Sequence, residues 1–242
     1  MKTNRSYASR LLIALLAIVA VLITTHLVVQ HINLNGFQEK NGFVFELSNR
    51  LDLDDEISVP TWFSNILMFS VGVSALFAAY LHRERVKRRL WTFIGLLGII
   101  LSLDEAASTH EFALQSLHNL FYLNSPPEIG RNAWWIIAPF ILIVGIIMAW
   151  LTYKHLPRRT FLLFLAGGMT FMVGAVLVDI IAAVVPTSLY MRQGVLVAIE
   201  EGCELLGGTI ILYTVVDYIE RRYHPVLSST KKHLKTQRDK HA

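Results

Sequence analysis

Residues 11–29 read Leu-Leu-Ile-Ala-Leu-Leu-Ala-Ile-Val-Ala-Val-Leu-Ile-Thr-Thr-His-Leu-Val-Val, without a single lysine, arginine, aspartate or glutamate. A bilayer core is about 30 Å thick, so a spanning helix needs roughly 20 apolar residues. This run is long enough. Lys2, Arg5 and Arg10 precede it, as they would precede a signal peptide. The apolar run is longer than a signal core, however, and no Ala-x-Ala site follows Thr24-Thr25-His26, so it reads as a retained transmembrane helix.

Working outward, the same test finds Trp62–Leu81, Trp91–Leu117, Trp134–Leu151, Phe161–Val185 and Gly194–Tyr218. Tryptophans stand at several of these ends (Trp62, Trp91, Trp134, Trp135, Trp150), as interfacial aromatic belts require. Pro60, Pro157 and Pro186 fall in the connections. The composition agrees: 54% of the 242 residues are hydrophobic and only 17% charged, against about 25% charged in soluble domains. A disordered chain is excluded. The one cysteine, Cys203, excludes an intrachain disulfide and a Cys-based zinc site. The expected fold is all-α: a polytopic membrane bundle of six transmembrane helices over residues 1–218, with an extracytoplasmic loop at 30–61 and a basic tail at 219–242.

Connection charges give the orientation. Residues 1–10, 82–90, 152–160 and the tail sum to +15, while residues 30–61, 118–133 and 186–193 sum to −3. The positive-inside rule puts the first set in the cytoplasm, so both termini are inside. The expected location is a bacterial cytoplasmic (inner) membrane, the partners are the lipid bilayer and a second copy of the chain in a homo-oligomer, and no nucleic acid is expected. Lys231, Lys232 and Lys235 read as a solvated tail that fixes topology. Asp52-Leu53-Asp54-Asp55-Glu56 lacks the glycine and closing glutamate of a calcium loop and reads as a solvated acidic segment. Phe37, Phe43, Phe45, Leu47 and Leu51 are expected to fold down over the helices.

The chemistry lies inside the spans. The third reads Ser102-Leu103-Asp104-Glu105-Ala106-Ala107-Ser108-Thr109-His110-Glu111, the sixth carries Glu200-Glu201-Gly202-Cys203-Glu204, and the fifth carries Asp179. Seven ionised, unpaired carboxylates at that depth would cost on the order of 15–25 kcal/mol. No lysine or arginine lies within those three spans. The acids are therefore protonated, or hold cations, or line a wet cavity. In a continuous helix Asp104, Ser108, Glu111, Gln115 and His118 share a face, and so do Glu200 and Glu204. At 1.5 Å per residue from the basic ends, Asp104, Glu204, His26 and Asn65 stand about 20–24 Å deep, and Ser108, Glu200, Asp179 and Glu111 about 26–30 Å. Residues of five spans thus share one layer in the outer half of the membrane. An inverted repeat would split the Asp104-Glu105 and Glu200-Glu201 pairs between halves, so it is rejected as their origin.

Pro60-Thr61-Trp62-Phe63-Ser64, Leu101-Ser102-Leu103-Asp104-Glu105-x4-His110-Glu111 and Glu200-Glu201-x2-Glu204 together resemble a group of small, uncharacterised bacterial multi-pass membrane proteins. That resemblance implies the fold and no activity. The serine, aspartate and histidine of the third span are also similar to membrane hydrolases of the alkaline ceramidase and progestin-receptor type, but the late His-x3-His pair of those enzymes is absent.

Three functions remain open. The first is a membrane metalloenzyme, an oxidoreductase or hydrolase, holding a divalent metal (Fe, Mn or Zn). Its ligands would come from Asp104, His110, Glu111, His118, Asp179, Glu200 and Glu204, with Glu105, Ser108 and Glu201 as catalytic candidates. The Glu-x-x-His signature of di-iron bundles does not occur at the site. The second is proton- or cation-coupled transport. The third is an accessory or assembly subunit with protonated structural acids. A haem-binding variant of the third would pair His26 with His110 or His118 across helices. Cys203 reads as a small packing residue beside Gly202.

Overall fold

The computed structural model describes residues 6–34, 42–109, 134–178 and 190–238, with positions 112, 113, 116, 120 and 181 between them. Every regular element among these is helical. The order is α1 (Tyr7–Leu34), α2 (Phe43–Asn49), α3 (Val59–Leu81), α4 (Arg85–Ala107), α5 (Trp134–His155), α6 (Arg158–Met172), a first π-helical segment (Val173–Val178), a second (Tyr190–Leu196), and α7 (Val197–Arg238). Four helices are long and apolar enough to cross a membrane: Tyr7–Asn33, Val59–Leu81, Arg85–Ala107 and Arg158–Val178. Pro139–His155 of α5 is apolar but shorter, and α7 carries Glu200, Glu201, Glu204 and Asp217 along its length.

The chain forms α3 where a Ser58 Oγ cap accepts the Thr61 amide at 3.2 Å and Pro60 occupies the first turn, where its missing N–H costs nothing. A tight reversal at residues 82–84 returns it as α4. The two helices pack backbone to backbone. A Cβ on Gly98 would stand 2.8 Å from the Gly72 nitrogen and 2.9 Å from its Cα, so only glycine fits. Ser102 Oγ pins the other end of the pair, 2.5 Å from Asn65 Oδ1 and 3.1 Å from Asn65 O. Without a hydrophobic drive between helices in lipid, such close approach and interhelical hydrogen bonds supply the association.

α7 is the central element. It runs antiparallel to α6, with Gly207 seated against the Phe171 backbone and Gly167 against Gly207 O. It runs antiparallel to α1, whose Ile23 meets Gly202. It runs parallel to α3, where Leu67 and Met68 meet Gly208. Leu205 and Leu212 join Leu15, Val19 and Leu22 of α1 and Leu67 and Val71 of α3 in one apolar cluster. Val215 and Tyr218 join Ala75, Ala78, Trp91 and Leu156 in a second.

The bundle has a basic end and an acidic end. At the basic end the Glu220 carboxylate accepts the amides of Tyr7 (3.2 Å) and Ala8 (3.0 Å), capping α1 and offsetting its dipole. Asp217 pairs with Arg159 (3.2 Å) and Arg221 (2.8 Å). The His82 Nε2 and Tyr218 OH are 2.8 Å apart, and Tyr223 OH donates to Leu81 O.

Two expectations are corrected. The third span does not run unbroken to Leu117: α4 ends at Ala107, and Ser108 caps it in the left-handed region (φ 45, ψ 41). Such a residue rotates the chain out of the helical period after Ala107; Glu111, Gln115 and His118 of the expected stripe lie outside the described residues. The loop aromatics do not all fold down either. Phe43 is 81% exposed, and the residue that closes on the helices is Leu53, at 3%.

Candidate functional site: a carboxylate cluster at the acidic end

Four elements build the acidic end: the last turns of α4, the segment between α2 and α3, the first π segment, and the start of α7. Glu200, Glu201 and Glu204 lie on the first turns of α7, all half-buried. Glu200 and Glu204 are one turn apart on a shared face. Asp104 and Glu105 lie on the last turn of α4, also half-buried. The charges that act on Glu201 are those of Glu204, Glu105, Glu200 and Asp54. Four carboxylates, from α4, α7 and the α2–α3 segment, thus act on a fifth, Glu201.

Local packing explains how α7 presents its acids. The first π segment lies directly against this turn. A Cβ on Gly174 would collide with Glu200 O and stand 3.0 Å from both Cys203 Cβ and Glu204 Cγ. Cys203 accordingly packs against the Gly174 backbone, as a small residue should. A π-helical turn adds a residue to the repeat and is frequent at functional sites in helices. Here one π segment abuts the acids and the second leads into them.

Ser108 turns the chain at the end of α4. Its amide donates to Asp104 O, and its carbonyl accepts the Phe112 amide at 3.2 Å. A serine at φ 45 carries backbone strain that glycine would not. The hydroxyl expected to be catalytic therefore sits at a strained corner beside Asp104 and Glu105.

On the other side stands His26 of α1, fully buried. Its Nδ1 lies 2.9 Å from Asp52 Oδ1 and accepts the Leu53 amide at 3.1 Å; its Nε2 is 3.2 Å from Gly194 O. Gln30 donates to Asp52 Oδ2 at 2.6 Å. Both ring nitrogens of His26 thus have partners within the chain. Asp52 is no solvated acid. The partner of His26 was not legible in the sequence, because nothing in the spacing of residues 26 and 52 signals a tertiary pair.

Of the predicted site residues, the structure brings Glu105, Glu200, Glu201 and Glu204 together and places Asp104 and Ser108 on the same end of α4. His110, Glu111, His118 and Asp179 lie outside the described residues. Among the described residues no three His, Cys, Asp or Glu side chains converge closely enough to hold a metal ion.

No curated protein and no solved structure matches this chain. One family model does, over residues 11–218, from the first apolar run to the end of the last: the chain belongs to the family described as Domain of unknown function (DUF8692).

Proposed function

We propose that this chain is a six-span protein of the bacterial inner membrane, with both termini cytoplasmic, whose carboxylate cluster binds a divalent metal ion in the outer half of the bilayer. α5 and α7 are the two additional spans. The asymmetry of connection charge supports the orientation, since the end carrying Glu220, Arg159 and Arg221 is the positive one. The reading places Glu200 and Glu204 on the ion. Asp104, His110, Glu111, His118 and Asp179 complete the ligand set, and Glu105 and Glu201 stand beside it as bases. Ser108 offers a hydroxyl next to them. A metal-bound water would then serve hydrolysis or oxidation at the outer leaflet.

One observation carries this reading: Glu200, Glu201 and Glu204 on the first turns of α7 and Glu105 on the last turn of α4 are all half-buried, while residues 91–117 and 194–218 contain no lysine or arginine. A bound cation is one way to accommodate such acids at membrane depth, with protonation or a water-filled cavity as the others. A second reading, coupled movement of protons or cations, draws on the His26–Asp52 pair, whose imidazole is buried.

The test is thermal unfolding of the full chain in detergent with added Mn, Fe(II) or Zn. A bound ion stabilises the folded state by about 2.7 kcal/mol at a hundredfold excess over Kd. A shift in wild type that disappears in Glu204→Gln supports the metal reading. Ion flux in proteoliposomes that depends on Glu204, with no shift, supports transport. Neither effect, with stability falling as pH rises, supports protonated structural acids in an accessory subunit.

A further inference from the structure

Asp217 of α7 is buried near the basic end, with only 7% of its side chain exposed. It accepts Arg159 Nε from the start of α6 at 3.2 Å and Arg221 Nε, one turn further along α7, at 2.8 Å. Both reach the same oxygen, Oδ2, so the two guanidinium groups are held side by side. The contacts run through Nε. Arg221 turns that one nitrogen to both carboxylate oxygens and leaves its Nη1–Nη2 edge unused. Arg159 gives Nη2 to Tyr213 OH at 3.0 Å and keeps Nη1. Neither arginine takes another acidic partner among the described residues. With Nε turned to a buried oxygen and the two side chains 51% and 60% exposed, the opposite edge of each guanidinium faces outward.

Two guanidinium groups on one carboxylate keep a net positive charge. Guanidinium forks of fixed direction suit a phosphate, which they bind through paired N–H···O bonds. Their level in the fold narrows the source of that phosphate. Arg158–Val178 is long and apolar enough to cross a membrane, and Arg159 stands on its first turn, where lipid headgroups lie. Arg158, Leu162, Leu165 and Met169 follow one another at helical spacing down one face of this span, and all are exposed. A headgroup on the arginines therefore has an apolar wall for acyl chains directly beneath it.

We propose that Arg159 and Arg221, oriented by Asp217, bind the phosphate of an anionic phospholipid at the basic end of the bundle. The phosphate oxygens accept from Arg221 Nη1 and Nη2 and from Arg159 Nη1, and the acyl chains lie along α6. The net positive charge favours a headgroup that carries no cation of its own. Asp217 is a positioning residue: it engages each Nε and so presents the terminal nitrogens. The inference rests on the membrane-spanning reading of α6 and not on what the acids at the far end bind.

Native mass spectrometry of the full-length protein in detergent, titrated with phosphatidylglycerol, phosphatidylcholine or inorganic phosphate, counts the bound molecules and gives each Kd. Wild type is expected to bind phosphatidylglycerol about fivefold or more tightly than phosphatidylcholine, the worth of one positive charge beside an anionic headgroup. Arg221→Lys keeps the charge and loses the fork, and is expected to weaken phosphatidylglycerol about tenfold. Arg88→Gln removes an exposed arginine near the start of α4 and should leave binding unchanged. Asp217→Asn raises the net charge by one but frees both guanidinium groups, so binding should weaken, whereas diffuse attraction would strengthen it. Glu204→Gln should bind lipid as wild type does, which separates this site from the metal reading. Arg221→Lys that binds as wild type, Arg88→Gln that is weakened as much as Arg221→Lys, or inorganic phosphate bound as tightly as the lipid overturns the proposal. Should Asp217→Asn fail to fold, the comparison of Arg221→Lys with Arg88→Gln still decides.

Discussion

Gly174 and Gly168 lie less than two turns apart on the same span, yet their surroundings are opposite. A methyl group on Gly174 would strike the carbonyl oxygen of Glu200 and press on Cys203 Cβ and Glu204 Cγ at 3.0 Å. The first of these is backbone and cannot swing away. A methyl group on Gly168 meets nothing within 4 Å. Overpacking of this kind costs about 1–3 kcal/mol, while replacing a helical glycine by alanine gains about 0.5–1 kcal/mol. Gly174→Ala is therefore expected to lose about 1–2 kcal/mol net, and Gly168→Ala to gain up to about 1 kcal/mol. At roughly 2–4 °C per kcal/mol for a chain of this size, the two variants should melt several degrees apart on either side of wild type. Thermal unfolding in one detergent, with all three proteins in parallel, measures this. Because the clash falls on the turn that carries Glu200 and Glu204, Gly174→Ala should also weaken any ion binding there. A Gly174→Ala protein as stable as wild type, or a Gly168→Ala protein equally damaged, would refute the packing of the first π segment on α7.

At the corner after α4, Ser108→Gly should raise stability by about 1 kcal/mol by relieving the left-handed backbone, and Ser108→Val should lower it by more, both read from melting curves. Glu220→Ala removes the acceptor for the Tyr7 and Ala8 amides and should cost about 1 kcal/mol, with faster exchange of those two amides as the local readout. His82 is held below the usual histidine range by its burial, with Arg222 and Lys87 adding to the effect. Its folded-state affinity for a proton is thus lower than in the unfolded chain. No stability is at stake above about pH 6.5, and stability is lost as pH falls below it, when only the unfolded state takes up the proton. His82→Asn should flatten that acid limb of the melting temperature.

The membrane character was legible from runs such as residues 11–29, because span length and apolarity are local properties. The grouping of Glu200, Glu201 and Glu204 was legible too, because helical spacing alone brings positions i and i+4 together. The end of α4 was not. No glycine or proline stands near residue 108 to announce a break, and a serine at φ 45 is held there by the surrounding fold. The π segments were equally hidden, since Val173–Val178 and Tyr190–Leu196 use the same residues an α-helix would. Glycines on a span do not say which of them meets a neighbour: Gly174 and Gly207 touch one, whereas Gly168 does not. The acidic run at Asp52–Glu56 looked solvated because its partner, His26, is on another element, and only the tertiary fold pairs them.

The most direct test of the carboxylate cluster as a metal centre is elemental analysis of the purified full-length protein, as wild type, Glu204→Gln and Glu111→Gln. The account predicts stoichiometric iron, manganese or zinc in wild type and its loss in both variants. Metal-free wild type purified without chelator, or metal content unchanged by both substitutions, would contradict it.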